Sequence, residues 1–394
     1  MKILILSYYF PPDLSACSFR MESFIDELDK NHESIREIEV LTTSPNRYKS
    51  YDSYNDEQDH FRITNITRIP VTQHNSGMIS QIIAFSKYFF SVLIYLRDKE
   101  YDLIFATSSK LMTAFLGGII SKKKNIPLFL DIRDIFIDTI TDIFGRKYAY
   151  FLLPIFKKVE SYTIKCSSKV NLVSKGFSEY FVTKYPDKYF SYITNGIDKK
   201  FLKEFDGNQK NSNPENNQHL KIMYAGNIGE GQGLHNIIPA LAKRLKENAS
   251  FIIIGDGGRK ELLARRLSEE RINNVLLKNP ISRDKLIREY LGCSILFLHL
   301  NNYNAFKKVL PSKIFEYAAT GLPIWAGVDG YAATFIKANI KNAVIFPPCD
   351  SDSAMKELEN LSLSKSNRST FKDNFDRSNL SAKLAQEFLS LYNV

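Results

Sequence analysis

Cysteine is scarce in this chain: four residues in 394, at Cys17, Cys166, Cys293 and Cys349, with no C-x-x-C pair. That spacing argues against a disulfide framework and a zinc cluster, and it fits a reducing compartment. The six histidines (His32, His60, His74, His219, His235, His299) form no cluster either. There is no Walker loop, no H-E-x-x-H and no G-x-S-x-G, which sets aside the common phosphate-loop, zinc-protease and serine-hydrolase readings. No internal repeat of solenoid length is present. The start, MKILILSYYFPP, has one lysine and a short apolar run without the cleavage site of a leader, and is expected to be a first buried strand. Long apolar runs are missing with one exception. Residues 78 to 96, MISQIIAFSKYFFSVLIYL, hold the single charge Lys87, and Ser80, Gln81, Ser86 and Ser91 dilute the run. A buried or interfacial helix is expected there rather than a membrane span.

What is present is ample for two ordinary domains: 44% apolar and 24% charged residues. Lys and Arg number 53 against 43 Asp and Glu, a formal charge of +10 that favours anionic partners. A nucleic-acid-binding protein is one reading of that surplus. Against it, basic and acidic residues are interspersed over much of the chain and no recognition motif occurs.

Short apolar runs alternate with helix-like stretches in both halves: KILILSY, EIEVLTT, LIFATS, IPLFLDI and KVNLVS, then LKIMYAG, SFIIIGDG, NVLLKN, SILFLHL, LPIWAG and NAVIFPP. Continuous apolar strands separated by helices predict an α/β fold with parallel sheets covered on both faces. The expected division is an N-terminal domain over 1–203, a polar linker over 204–219 (EFDGNQKNSNPENNQH), a C-terminal domain over 220–375, and a helix over 376–394 returning towards the first domain. Two such doubly wound domains are expected to face a central cleft. Ligands in such sheets bind beyond the carboxyl ends of the strands, so the residues after each strand are the candidates.

Four stretches qualify. YAGNIGEGQGL (224–234) places four glycines between a strand and a helix whose Leu234, Ile237, Ile238, Leu241 and Leu245 mark one apolar face. A helix start reached by small residues suits an anion, although G-x-G-x-x-G fails because Asn236 stands at the third glycine, which weakens a dehydrogenase reading. GDGGR (255–259) is a second such turn, and a plain turn is the alternative for both. KKVLPSKIFEYAATGLPIWAG (307–327) sets Lys308 and Lys313 around a helix start at Pro311 and Ser312, with Glu316 one turn in. Two ammonium groups at a helix N-terminus can neutralise a diphosphate, and the carboxylate can accept from a ribose diol. FLDIRDIF (129–136) ends a strand with Asp131, Arg133 and Asp134, which must pair or face a cleft; a salt bridge tying a loop is the alternative.

The combination TNGID, YAGNIGEGQGL, IIIGDGG and LPSKIFEYAATGLPIWAG resembles the family-four retaining glycosyltransferases of the GT-B fold. With ILSYYFPPDLSACSFR and FLDIRD it resembles the bacterial branch that builds O-antigen and capsule, and within it the N-acetyl-L-fucosamine (fucosamine) transferases. The resemblance spans nearly the whole chain. Departures are specific: Lys308 stands where many members have the first acid of an E-x7-E pair, Asn227 and Gln232 where they have Arg and Lys, Ser15-Ala16 where they have two glycines, and Arg133 where they have a histidine.

The resemblance implies a UDP-sugar donor as substrate, no cofactor, no metal, and retention at the transferred sugar. Donor contacts are expected at Gly226, Asn227, Gly229, Gly255, Asp256, Gly257, Lys308, Ser312, Lys313 and Glu316, with Lys313 and Glu316 also catalytic beside Arg133 and Asp134. Ser15, Ala16, Arg20 and Asp131 are expected on the acceptor side. The implied acceptor is a polyprenyl-diphosphate-linked saccharide, met by a cytoplasmic protein resting on the anionic inner leaflet. Residues 146 to 175, with seven basic side chains against Glu160 alone and Tyr148, Tyr150, Phe151, Leu152, Leu153 and Phe156 among them, are the expected docking face together with 78–96; a solvated face over a buried stripe is the alternative. A GT-B UDP-sugar 2-epimerase shares the fold and is the rival enzyme.

Overall fold

A computed structural model describes residues 1–30, 33–45, 61–71, 78–108, 111–206 and 219–393, with the side chains of 78–81 and 139–151 left undescribed. The chain forms two compact units: Met1–Asn195 with Arg377–Val394, and Gly196–Asp376.

Unit 1 is built on seven strands, β1 (Lys2–Leu6), β2 (Glu37–Thr43), β3 (Thr64–Ile69), β4 (Leu103–Thr107), β5 (Leu128–Ile132), β6 (Lys169–Leu172) and β7 (Phe190–Ser191). All pair in parallel in the order β3-β2-β1-β4-β5-β6-β7. The central strands are apolar on both faces, as a doubly covered sheet requires. Covering them are α1 (Ala16–Lys30), α2 (Met78–Tyr95), α3 (Leu111–Lys124), α4 (Phe136–Cys166), α5 (Ser178–Lys184) and, from the end of the chain, α14 (Arg377–Leu389). Phe388 of α14 lies edge-on to Phe24, Phe105 and Phe129, at centroid distances of 5.8, 5.6 and 6.0 Å. The final helix thus completes the core over β1, β4 and β5.

Unit 2 contains α6 (Lys199–Asp206), β8 (Leu220–Ala225), α7 (Leu234–Arg244), β9 (Ala249–Ile254), α8 (Lys260–Glu269), β10 (Val275–Lys278), α9 (Arg283–Leu291) and β11 (Ile295–His299). These are followed by α10 (Lys313–Thr320), β12 (Ile324–Gly327), α11 (Gly330–Asn339), β13 (Ala343–Phe346), α12 (Ser351–Glu359) and α13 (Ser369–Asn374). Its parallel sheet runs β10-β9-β8-β11-β12-β13, with one apolar core on each face. The division falls before α6 rather than at residue 203, because Phe201 and Phe205 are buried in the second unit's core. Residues 204–206 close α6, and 207–218 of the polar stretch lie outside the described residues.

Candidate functional site

The glycine turn after β8 continues the sheet rather than leaving it. Gly226 N donates to Ile254 O at 2.7 Å, Ile228 N to Asp256 O at 2.8 Å, and Arg259 N to Ile228 O at 2.9 Å. The turns after β8 and β9 therefore lie backbone against backbone. A Cβ on Gly255 would stand 1.8 Å from Gly226 O, and one on Gly257 would stand 2.7 Å from Ile228 C and O. Their φ angles of 153° and 151° are equally hostile to a side chain. Much of the glycine content thus serves contact between protein segments, not open space for a ligand.

The remaining glycines of the turn touch neighbouring side chains. A Cβ on Gly231 would meet the Phe306 ring at 2.8 Å, and one on Gly229 would meet Asn227 Nδ2 at 2.5 Å. Asn227 Nδ2 donates to Gln232 Oε1 at 2.7 Å, Gly229 N reaches the same oxygen at 3.3 Å, and Tyr224 Oη donates to Asn227 O at 2.6 Å. The two polar residues that replace the expected Arg and Lys bind each other and hold the turn shut.

Gly226 is different, because its neighbour is a cation. A Cβ there would lie 1.9 Å from Lys313 Nζ and 2.2 Å from Lys313 Cε, so the ammonium rests directly on the glycine. Lys313 opens α10, and Tyr317 one turn on accepts from Ala225 N at 3.2 Å, fixing that helix start to the end of β8. Lys313 Nζ also stands 5.1 Å from the centroid of the Tyr224 ring. The structure brings together Gly226, Asn227, Gly229, Gly255, Asp256, Gly257 and Lys313. Asp256 Oδ1 accepts from Gly257 N at 2.8 Å. Ser312 precedes α10 without a side-chain cap bond, and Lys308 ends the 3-10 turn Asn304–Lys308, partly exposed.

Glu316 faces a group that the sequence reading did not name. Arg283, first residue of α9, donates from Nη2 to Glu316 Oε1 at 3.4 Å, and its Nη1 stands 3.2 Å from Asp198 Oδ2. The guanidinium lies 5.4 Å from the Phe201 ring centroid. Side-chain exposures of 13% for Arg283, 18% for Asp198 and 19% for Glu316 leave the cluster reachable by solvent.

Behind the turn is a second group that was missed. Glu230 accepts from Tyr303 Oη at 2.7 Å and pairs with the Arg259 guanidinium, while Asn301 Nδ2 donates to Glu230 O at 2.9 Å. Burial opposes ionisation of Glu230, but the Tyr303 and Arg259 donors outweigh it and hold the carboxyl below its usual range. His299 Nδ1 meets Gln232 O at 2.7 Å, and Cys349 N donates to His299 Nε2 at 3.0 Å. Those partners require the neutral Nδ1–H form, and burial pushes the imidazole down to about 4. His299 is a neutral strut between the glycine turn and the loop after β13. Contacts spanning 29 to 73 residues leave no local signal in sequence.

In unit 1 two of the expected acceptor-side residues, Arg20 and Asp131, are taken up by an internal tie. Arg20 and Asp131 are sealed, at 4% and 0% exposure. Arg20 Nε and Nη2 each donate to the Asp131 carboxylate at 3.0 Å, and its remaining N–H groups reach Thr194 O at 2.6 Å and Ile193 O at 2.9 Å. Asn171 Nδ2 adds a bond to Asp131 Oδ1 at 2.7 Å. This is an internal tie, and the two residues do not line an open surface. Ser15 is the N-cap of α1, its Oγ accepting from Ser18 N at 3.0 Å, and Ala16 is the first helical residue. Arg133 Nη1 stands 3.6 Å from Asp131 Oδ2 and Nη2 donates to Asn195 Oδ1 at 3.3 Å, while Asp134 is exposed.

Residues 205–377, which make up most of the second unit, match the family model described as Glycosyl transferases group 1 and are similar to that family over this stretch. WcaI of Escherichia coli (strain K12), named as a colanic acid biosynthesis glycosyl transferase, is 33% identical over 100 residues; the match spans 25% of this chain and 24% of WcaI. Among solved structures, Anabaena HepE in complex with UDP and glucose shares 16% identity over 99% of this chain and 100% of that one, with a TM-score of 0.67. WaaG, a glycosyltransferase involved in lipopolysaccharide biosynthesis, shares 16% identity over 98% of this chain and 95% of that one, with a TM-score of 0.62. The fold is thus the pair of parallel-sheet Rossmann-like domains found in GT-B structures.

Proposed function

We propose that this protein is a retaining glycosyltransferase that moves an N-acetylated amino sugar, best N-acetyl-L-fucosamine, from a UDP-sugar to a polyprenyl-diphosphate-linked saccharide in capsule or O-antigen synthesis. The observation that carries the reading is the Lys313 ammonium on Gly226, at the start of α10 and the end of β8, inside the segment that matches the family model. A cation and a helix N-terminus at one point suit a diphosphate, and they strengthen as negative charge accumulates on the departing UDP. With Asn227 and Gln232 neutral and bound to each other, Lys313 is the cation assigned to the diphosphate. Glu316, held by Arg283, supplies a carboxylate for the ribose hydroxyls.

In this reading the bond from the sugar C1 to the β-phosphate oxygen breaks through an oxocarbenium-like state. The acceptor hydroxyl oxygen bonds to C1 on the face that the phosphate leaves, and its proton passes to that phosphate. No divalent metal takes part. Asp134 and Arg133 are the groups of unit 1 assigned to the acceptor. Work on a lipid-borne acceptor places the enzyme at the cytoplasmic face of the plasma membrane.

A thermal-shift screen of UDP, GDP and several UDP-sugars tests the donor class, since a ligand of the native state raises the melting temperature according to its affinity. Stabilisation by UDP and not GDP is expected, and indifference to every nucleotide would overturn the reading. Anomeric configuration of the product, read by NMR with EDTA present, tests retention and metal independence together.

A further inference from the structure

The exposed faces of α2 and α4 are apolar where a helix surface is ordinarily polar. Tyr88 of α2 is buried and donates to Leu41 O at 2.8 Å, which with buried Ala84 and Val92 fixes which side meets the sheet. The opposite stripe is Ile83, Lys87, Phe90 and Ile94, spaced i, i+4, i+7 and i+11, with Phe90 63% and Ile94 75% exposed. On α4 the stripe Ile155, Lys158, Tyr162 and Lys165 repeats this pattern of apolar and cationic side chains.

Between them lies α3, tied to both. Phe115 stacks on Phe89 of α2 at 6.4 Å and meets Tyr162 of α4 edge-on at 5.6 Å. Gly118 of α3 faces α4, where a Cβ would sit in ordinary van der Waals contact at 3.6 Å from Tyr162, Thr163 and Cys166. The three helices are therefore neighbours on unit 1. Over 78–95, 111–124 and 152–166 the only acidic residue is Glu160. That carboxylate is buried and held by Lys184, Tyr180 and Tyr185, so it does not offset the lysines outside. Lys169, expected on the docking face, is instead paired with Glu387; Arg146, Lys147, Tyr148, Tyr150 and Phe151 lie outside the described side chains.

We infer that the α2 and α4 stripes form a docking surface for an anionic bilayer, lying in the headgroup layer without crossing it. No helix among the described residues is long and apolar enough to span a membrane. Lysine heads spaced among exposed aliphatic and aromatic side chains suit phosphate headgroups, with the lysine stems and Phe90 and Ile94 entering the acyl boundary. A second copy of this chain presenting the same face would set these lysines against lysines with no acid to meet them. The inference extends the lipid-borne acceptor reading but is tested without any sugar, so the two can fail separately.

The test is co-sedimentation of the full chain with vesicles of phosphatidylcholine alone or mixed with phosphatidylglycerol, at low and high salt. Binding to the anionic vesicles at low salt, weakened by salt, is expected. The double variant K87E/K158E is expected to lose about thirtyfold or more in affinity, and F90S/I94S to lose binding at both salts, with melting temperatures close to the parent. Absence of parental binding to anionic vesicles at low salt overturns the inference, as does undiminished binding by both variants. Self-association that F90S/I94S abolishes while vesicle binding persists also overturns it, because the face then joins two copies.

Discussion

Each unit sets an arginine against carboxylates, and the two constellations behave differently. Arg20 and Asp131 of unit 1 are sealed, with their donors spent on each other and on the backbone of Ile193 and Thr194. Arg283, Asp198 and Glu316 of unit 2 keep partial access to solvent at looser distances of 3.2 and 3.4 Å. The difference lies in what surrounds them: an ion pair at no exposure can act only as a tie, whereas one at 13 to 19% exposure can exchange a partner for a ligand.

The sharpest test of that contrast is stability. Arg20→Met leaves Asp131 buried with one fewer cation and is expected to cost about 3–5 kcal/mol in urea denaturation. The double variant R20M/D131L is expected to recover part of the loss, because no carboxylate then stays buried without its guanidinium. A loss below about 1 kcal/mol would put Arg20 in the open class with Arg283. Next in size, on the transfer reading, Lys313→Ala is expected to lower turnover by about two to three orders of magnitude with little change in melting temperature. Near-normal turnover would move the diphosphate away from Gly226.

Arg283→Met comes third. Because the cluster is partly exposed, folding should lose about 1 kcal/mol or less, while the KM for donor rises about tenfold as Glu316 loses its anchor. A large stability loss with unchanged KM would make this cluster a tie like Arg20–Asp131. The smallest effect concerns His299. Its folded pKa, about 4, lies below the unfolded value of 6.5, so the unfolded chain takes up the extra proton between them. The stability that neutral His299 contributes is complete above about pH 6.5 and fades as pH falls towards 4, with a slope of up to about 1.4 kcal/mol per pH unit. His299→Gln is expected to be less stable at pH 7 and to flatten that acid limb.

The fold was largely legible because buried parallel strands are nearly continuous apolar runs: KILIL, LIFAT and LFLDI need no partner to be recognised. The edge strand β3, TNITRI, escaped because only one end of it is buried and its polar residues read as loop. The domain boundary was misplaced for a related reason. A polar stretch marks where burial stops, but Phe201 and Phe205 ahead of it belong to the second core, and nothing local in KKFLKEFD says which core receives them. In the candidate site, glycines and the helix start at Lys313 were visible as local patterns. Arg283, Asp198 and Tyr303 were not, since each reaches its partner across tens of residues. The sealed state of Arg20–Asp131 was equally hidden, because burial is a property of the assembled core.

The return of α14 to unit 1 shapes how the protein is made. Unit 2 is an insertion in unit 1, with its two ends side by side: Ile197 N donates to Phe375 O at 2.7 Å, and Ile197 bridges Asp376. On the ribosome the inserted unit has all its residues available before the host does. The host must wait with the pocket for Phe388 unfilled until α14 has been made. A nascent chain stopped short of α14 thus carries one finished body and one that chaperones still have reason to hold.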